Sequence, residues 1–424
     1  MPVQTAIQVR RGTASSWTST NPTLAAGEIG FETDTGKFKI GTGSATWSSL
    51  AYTAIPESIF AAKGDILTAT GNDAAAVLTA GSNGDTLVAD SAASTGLRWS
   101  ATPSASNPIV NSAMDVWQRG TSFSFTNALT YTADRWQGIT DAGATTMQVT
   151  RQATGDTTNL PFIQYCARVA RTTTGTNDIY LSQSFESVNS IPYAGKTVTF
   201  SFYARKGSGY SATSSNLVAR LVTGTGTDQN VLTGLTGGAT AIDGSATLTT
   251  TWQRFSFAAT LSASLTQLAL FFRFTPVGST TTNDYFEVTG VQIDVGSVAL
   301  PFRRSGGTIQ GELAACQRYY WRAGGDSGYQ PFGLGRATAT TTATMLINNP
   351  VPMRTKPSSV DFANLGLGDF VSVSSSLSGL TLDYAGTTTS TVNVTGASGL
   401  TSGTLMVIRA NNSTSAYIGM SAEL

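Results

Sequence analysis

No histidine occurs among the 424 residues. Its absence excludes the Ser-His-Asp triad, the Cys-His dyad, His-ligated zinc and any imidazole-based pH switch, leaving carboxylate pairs as the main route to hydrolysis. Cysteine is almost as scarce. Cys166 and Cys316 are the only two, too few and too far apart for a disulfide scaffold or a Cys-rich metal cluster, and they read as small buried hydrophobes. Charged residues make up 12% of the chain, against about 25% in an ordinary soluble domain. The 25 basic and 25 acidic residues cancel. The chain therefore lacks the clustered Lys and Arg that displace counterions from nucleic-acid phosphate or hold an anionic membrane. No apolar run approaches the roughly 20 residues of a membrane helix. The opening Met1-Pro2-Val3-Gln4-Thr5 also lacks the basic stretch and apolar core of a secretory signal. The expectation is a chain made in a cytoplasm, with no nucleic-acid partner and no membrane insertion.

What is abundant is glycine, 44 residues, together with Ser, Thr and Ala. Polarity carried by hydroxyls suits exposed strand faces, and Gly and Ser suit turns. Almost every segment reads as strand and turn, so the predicted class is all-β, in four parts. In residues 1–55 a strand over Ile7–Thr13 precedes a β-hairpin over Gly30–Gly41, with Asp34-Thr35-Gly36 as the turn and Glu32 facing Lys37 or Lys39. Its apolar residues, among them Ile7, Val9, Trp17, Leu24, Ile29, Phe31, Phe38, Ile40, Trp47 and Leu50, look too few to sustain a core alone.

Residues 56–106 contain a near-repeat. Gly64-Asp65-Ile66-Leu67-Thr68-Ala69 returns as Gly84-Asp85-Thr86-Leu87-Val88-Ala89. Asp73–Ala80 is read as strand, with an Ala-favoured helix as the alternative. Two copies fall short of a self-sufficient solenoid. The expectation is an interwoven β linker whose apolar strands find partners on sister copies wound around one axis.

Residues 107–304 alternate in many segments, such as Thr197–Ala204, Leu217–Val222, Trp252–Phe257, Leu268–Phe274 and Asp284–Val288. Strands at this spacing predict an antiparallel sandwich with its own core. Residues 305–424 open on a short helix over Gly311–Arg318, turn to strand at Tyr319–Arg322 and continue as a smaller β-sandwich.

Several separated positions carry a resemblance. Arg10-Arg11-Gly12-Thr13, Trp17, Asn21-Pro22, Leu24–Gly30, Glu32–Lys37, Lys39-Ile40-Gly41, Trp47 and Tyr52 resemble the N-terminal module of the major tropism determinant family, found in tail fibres and receptor-binding proteins of tailed bacteriophages. Thr42 departs from the usual Asp between the two glycines. Residues 63–99 are similar to a phage-fibre linker. Asn111, Trp117–Gly120, Ala133–Trp136, Thr251–Arg254, Val291–Gly296 and Pro301-Phe302 resemble jelly-roll modules related to carbohydrate-binding domains. The resemblance implies a homotrimeric tail fibre in the virion: residues 1–55 attach to a tail or neck protein, the jelly roll and C-terminal tip point outward, and the partner is a host-surface polysaccharide or lipopolysaccharide.

Sugar recognition needs flat aromatic faces with amides and carboxylates beside them. Trp117, Tyr131, Trp136, Tyr180 and Tyr210 are the candidate glycan-binding residues. Trp252 reads as core, and Tyr319, Tyr320 and Trp321 as packing or subunit contact. Gln118, Arg119, Asp134 and Arg135 flank the tryptophans, where a buried Arg–Asp pair is expected. No cofactor is implied, although Asp115, Glu287 and Asp294 offer oxygens for a structural calcium. A glycosidase needs two carboxylates at fixed separation, and no spacing singles out a pair among Asp134, Asp141, Asp178, Glu186, Asp284 and Glu287. The expected function is multivalent, non-enzymatic adhesion. A collar or head-attached fibre without receptor role, and a glycan-depolymerising tailspike, are the alternatives.

Overall fold

The computed structural model describes residues 9–53, 59–72, 74–81, 85–100, 107–369, 373–396 and 398–424. Ile7, Asp73 and Gly84, singled out above, lie outside the described residues. The protein is all-β, in two compact units, Met1–Pro103 and Ser104–Leu424.

The first unit opens with a three-stranded sheet. Arg10–Gly12 runs parallel to Ile29–Glu32, which turns back antiparallel through Phe38–Ile40. Between the first two strands lies a helix, Ala14–Thr20, that strand-and-turn reading of the sequence misses. Local chemistry starts and stops it. The Thr13 hydroxyl accepts from the Ser16 amide, and Asn21 closes the helix in the left-handed region at φ 42°. The helix turns Trp17 inward, where it stacks on Trp47 with ring centroids 4.2 Å apart. With Leu24 and Leu50 these rings make a core, so residues 9–53 bury more on their own than their apolar content implied. Ile29 and Ile40 are exposed instead. The hairpin's inner face is polar: Glu32 and Lys39 are buried rather than paired at the surface. The Glu32 carboxylate accepts from the Tyr52 hydroxyl at 2.7 Å. The Lys39 ammonium donates to the Trp47 carbonyl at 2.9 Å and sits over the Tyr52 ring. Burial lowers the Lys39 pKa, and Glu32 opposes that shift.

The near-repeat is a repeat of hairpins. Ile66–Gly71 pairs with Ala74–Leu78, and Thr86–Ala89 with Leu97–Ser100, both antiparallel. Each described strand of the ribbon is thus hydrogen-bonded to a neighbour in the same chain. The helical alternative for the middle segment is also removed. A core is what the ribbon lacks. Among its described residues no apolar side chain is buried, and Phe60, Leu67 and Leu87 are exposed. Trp99 covers Gly81, donating from its indole to the Thr79 carbonyl at 2.7 Å, and Arg98 pairs with buried Asp90 at 2.8 Å.

The second unit begins with two six-stranded antiparallel sheets packed face to face. One has the spatial order Ala239–Thr247, Asn216–Gly224, Gln267–Phe274, Ile179–Ser184, Gln137–Thr140, Thr130–Tyr131. The other runs Gln253–Thr260, Thr197–Lys206, Tyr285–Val295, Tyr165–Arg171, Met147–Ala153, Ser122–Phe125. Alternation sends Phe200, Phe202, Leu217, Ala219, Leu221, Leu270, Phe272, Phe274 and Phe286 into the shared core. A helix, Ile309–Gln317, leads to a second sandwich. Its three-stranded sheet is Tyr320–Gly324, Tyr417–Ser421, Ser359–Ala363, and a seven-stranded sheet faces it around Met345, Ile347, Leu367, Val392, Ile408 and Met420.

The two sandwiches are joined by buried polar contacts. Glu312 on the helix accepts from the Asn111 amide and, at 2.8 Å, from the Gly306 amide. Glu186 takes Arg318 at 3.0 Å and the Tyr319 hydroxyl at 2.5 Å. Glu423 pairs with Arg135, and with Arg119 at 3.3 Å. Tyr319, Tyr320 and Trp321 are all buried at this junction. The strand starts only at Tyr320, and both of its faces are covered. The expected Arg–Asp pair does not form. Arg135 turns to Glu423, while Asp134 accepts from the amide and the side chain of Gln118. Burial raises the Asp134 carboxyl to about 6, with the Gln118 bonds and Arg119 pulling it back. Both cysteines are buried free thiols.

Candidate functional site

The outer face of the first six-stranded sheet carries a half-buried aromatic cluster, the one nearest to the sequence expectation. Because alternate residues of a strand point to opposite sides, Leu181, Phe272 and Ala219 fill the core while Tyr180, Phe271, Arg273 and Arg220 point away from it. Register aligns them. Tyr180 stands opposite Ile139 on one side and Arg273 on the other, and Arg220 stands between Phe271 and Asp243. The Tyr180 and Phe271 rings meet edge to face with centroids 5.7 Å apart. Arg220 lies over Phe271 at 5.8 Å and grips Asp243 through two nitrogens, at 2.7 and 3.1 Å.

One end of this face is walled by the segment after Gly224. Val231 and Leu235 lean toward Val222 and Phe271 around an open pocket of about 210 Å³. Asn230 holds the wall to the sheet by donating to Gln137, and the Val231 amide donates to Ser184 at 2.9 Å. The other end is acidic. The Tyr180 hydroxyl reaches Asp178 at 3.3 Å and Asp141 at 3.5 Å, and Arg273 approaches Asp178 at 3.6 Å. Burial, then Asp178 and Asp141, push the phenol up to about 12, so it stays a neutral donor at any physiological pH. The direct Arg220 hydrogen bonds hold the Asp243 carboxyl below its ordinary value. The face offers two aromatic rings, a fixed guanidinium and carboxylates around a shallow hollow.

Of the five aromatic residues picked from sequence, this face holds only Tyr180. Trp136 is fully buried against Phe272 and donates to the Asn111 carbonyl at 3.1 Å. Trp117 is buried beside Phe123, its indole donating to the Met114 carbonyl at 2.7 Å. Tyr210 packs on Phe274 with centroids 4.5 Å apart and donates to the Asn216 carbonyl. Tyr131 lies at the junction of the sandwiches, donating to the Leu424 carbonyl at 3.0 Å under the Arg119 guanidinium. Packing occupies these four rings, so they offer no open platform. The strand Gln267–Phe274 contained one missed residue, Phe271. It is apolar on both parities at Phe271-Phe272, so alternation alone did not mark Phe271 as outward-facing.

The three carboxylates expected to offer calcium oxygens are not brought together. Asp115 is held by Arg304 at 2.8 Å, Asp294 by Arg303 at 2.8 Å, and Glu287 by Arg168 and Arg205, at 2.7 and 2.5 Å. Arginine supplies the positive charge a cation would have brought. Among the described residues no group of three or more acidic or cysteine side chains is arranged to hold a metal ion.

At the other end of the chain, the motif-bearing residues converge on one small core. A Cβ on Gly30 would lie 2.5 Å from the Trp47 ring, and one on Gly41 only 2.2 Å from the Ala25 carbonyl oxygen. Residues 7–45 match the major tropism determinant N-terminal domain. In this chain Gly30 lets the hairpin close on the stacked Trp17 and Trp47, and Gly41 lets it approach Leu24 and Ala25. No curated protein matches the chain in sequence. Among solved structures, a CBM4 protein aligns at 15% identity over 44% of this chain and 98% of its own, with TM-score 0.27. A full-length streptococcal bacteriophage hyaluronidase, solved with unsaturated hyaluronan octasaccharides, aligns at 43% identity over 14% of this chain, with TM-score 0.12. This chain spans 16% of that hyaluronidase's length. The enzymatically active domain of bacteriophage CBA120 tailspike protein 4 aligns at 10% identity over 45% of this chain and 21% of its own, with TM-score 0.26.

Proposed function

We propose that the chain is a bacteriophage tail-fibre protein that binds a host-surface polysaccharide or lipopolysaccharide through the open face around Tyr180 and Phe271. The match of residues 7–45 to the tropism determinant domain supports a place in the virion tail, with residues 1–55 attached to a tail or neck protein. The domain limits follow the same division: attachment module 1–55, ribbon 56–106, adhesive jelly roll 107–304 and C-terminal sandwich 305–424.

The observation that carries the adhesion reading is the half-buried, edge-to-face Tyr180–Phe271 pair on the outer sheet face, flanked by Arg220, Asp178 and Asp243. Aromatic faces pack on sugar C–H surfaces while charged and amide groups take the hydroxyls. Binding without cleavage fits the carboxylates. A glycosidic acid needs a raised pKa, whereas Arg220 holds Asp243 down. The fibre acts as a homotrimer. Sites of millimolar affinity then suffice, because linked sites raise avidity by about 10²–10⁴.

The test is binding of the full chain to a printed array of bacterial surface glycans. Tyr180→Ala and Phe271→Ala are each expected to weaken binding about tenfold or more, the loss of one stacked ring, with folding unchanged. Undiminished binding by the double variant overturns this reading.

A further inference from the structure

The C-terminal sandwich holds a second open cleft, of about 500 Å³, whose lining includes Gln317, Trp321, Asp326, Gln330, Phe332 and Asn348. That volume lies within the range of small-ligand sites. Its apolar side is held in place. Trp321 donates from its indole to the Asn349 carbonyl oxygen at 3.0 Å, and the Asn349 amide nitrogen is tied to the Thr387 carbonyl at 2.9 Å and the Gly386 carbonyl at 3.3 Å. Half-buried Phe332 continues that side.

The polar side is only partly used. The Gln330 carbonyl oxygen accepts from the Asp326 amide, and the Asn348 carbonyl oxygen accepts from the Thr389 hydroxyl at 3.3 Å. Each bond leaves an amide –NH₂ for another acceptor. Asp326 is exposed and adds a carboxylate. Arg322, the cation in the lining, is already committed: to Asp361 at 2.8 Å, the Tyr320 hydroxyl at 2.9 Å and the Arg119 carbonyl at 3.1 Å, with Tyr417 beneath its plane at 3.7 Å.

This donor and acceptor set selects a ligand class. Two –NH₂ donors beside a carboxylate acceptor match hydroxyl groups, each of which both accepts and donates. Trp321 is buried behind this side, and half-buried Phe332 with exposed Pro331 presents the apolar surface that suits a C–H face. With its guanidinium spent and a carboxylate at the rim, the cleft disfavours anions. We propose that it is a second saccharide site, taking a neutral sugar residue, in a sandwich separate from the Tyr180 face. The site stands on its own lining and does not depend on the Tyr180 face binding glycan.

Saturation-transfer NMR of the full chain with glucose, galactose, rhamnose, N-acetylglucosamine and glucuronate tests it. At least one neutral sugar is expected to receive saturation, with glucuronate weaker. The double variant Gln330→Leu/Asn348→Leu is expected to lower that affinity at least about tenfold, as when a built polar site loses its partners. Asp326→Asn, at an exposed position that keeps its size, is expected to lower it as well and guards against misfolding of the double variant. Part of the saturation is expected to persist in Tyr180→Ala, whose sheet face is disabled, and the cleft variants are expected to remove that part. The inference is overturned if no neutral sugar receives saturation, or if both cleft variants bind as the parent does. Loss on Tyr180→Ala with none in the cleft variants assigns sugar binding to the sheet face: the adhesion reading then survives and this one fails. Loss in the cleft variants alone supports this inference whatever the sheet face does.

Discussion

Glu423 takes two arginines at once, and one of them, Arg135, is nearly withdrawn from solvent, with its side chain 3% exposed. Arg135 also holds a left-handed backbone at φ 70° and lies over the Tyr319 ring at 3.7 Å. A non-glycine residue keeps such a conformation only when its surroundings over-determine it. Here the carboxylate, the ring and the Ser184 carbonyl, which accepts from Arg135 at 2.7 Å, do so together. Replacing Glu423 by Ala would leave a buried guanidinium without its counter-charge, which costs about 3–5 kcal/mol. Chemical denaturation of the full chain should show that loss in the transition of residues 104–424. Glu423→Gln, which keeps acceptor oxygen but no charge, should lose less. Equal stability of parent and Ala variant would show that the pair contributes nothing.

Among elements, the N-terminal hairpin shows how little space a small core leaves. Gly30 lies against Trp17, Leu24 and Trp47, and any added methyl group must displace a ring that has no free volume to enter. Gly30→Ala is therefore expected to destabilise the module by about 1–3 kcal/mol, the ordinary cost of overpacking. The stacked tryptophans report on it directly: their fluorescence should change at lower denaturant in the variant while the second unit unfolds as before. The hairpins of the ribbon are a different case. Their hydrogen bonds are satisfied locally, yet two-stranded ribbons without a buried face are marginal in water.

For the whole molecule, that deficit predicts association. The ribbon leaves Phe60, Leu67 and Leu87 exposed, and winding identical ribbons around one axis would bury them. Sedimentation equilibrium of the full chain is expected to give about three times the 44.0 kDa chain mass. Leu67→Asp together with Leu87→Asp should shift the population toward monomer without unfolding the second unit. A parent protein that sediments as a folded monomer would remove both the trimer and the avidity that makes weak sites sufficient.

The sequence by itself determined the all-β class, because hydroxyl-rich alternation between glycine turns admits little else. It also marked the hairpin Gly30–Gly41, whose turn chemistry is local, and the helix before Tyr319, whose Thr308 cap lies next to it in the chain. The helix at Ala14–Thr20 is as local in its caps, but its Ser and Thr content resembles strand and turn, so a strand-and-turn reading passes over it. Which aromatic rings stay open is not a local property. Trp117, Trp136 and Tyr210 lie in segments between strands and pack inward on Phe123, Phe272 and Phe274, whereas Tyr180 points away from the core. Likewise Arg135 found Glu423 rather than its chain neighbour Asp134, because the two sandwiches meet where the chain has already passed through both. Composition fixed how much apolar surface there was to bury, and tertiary contact alone decided which side chains were left to meet a ligand.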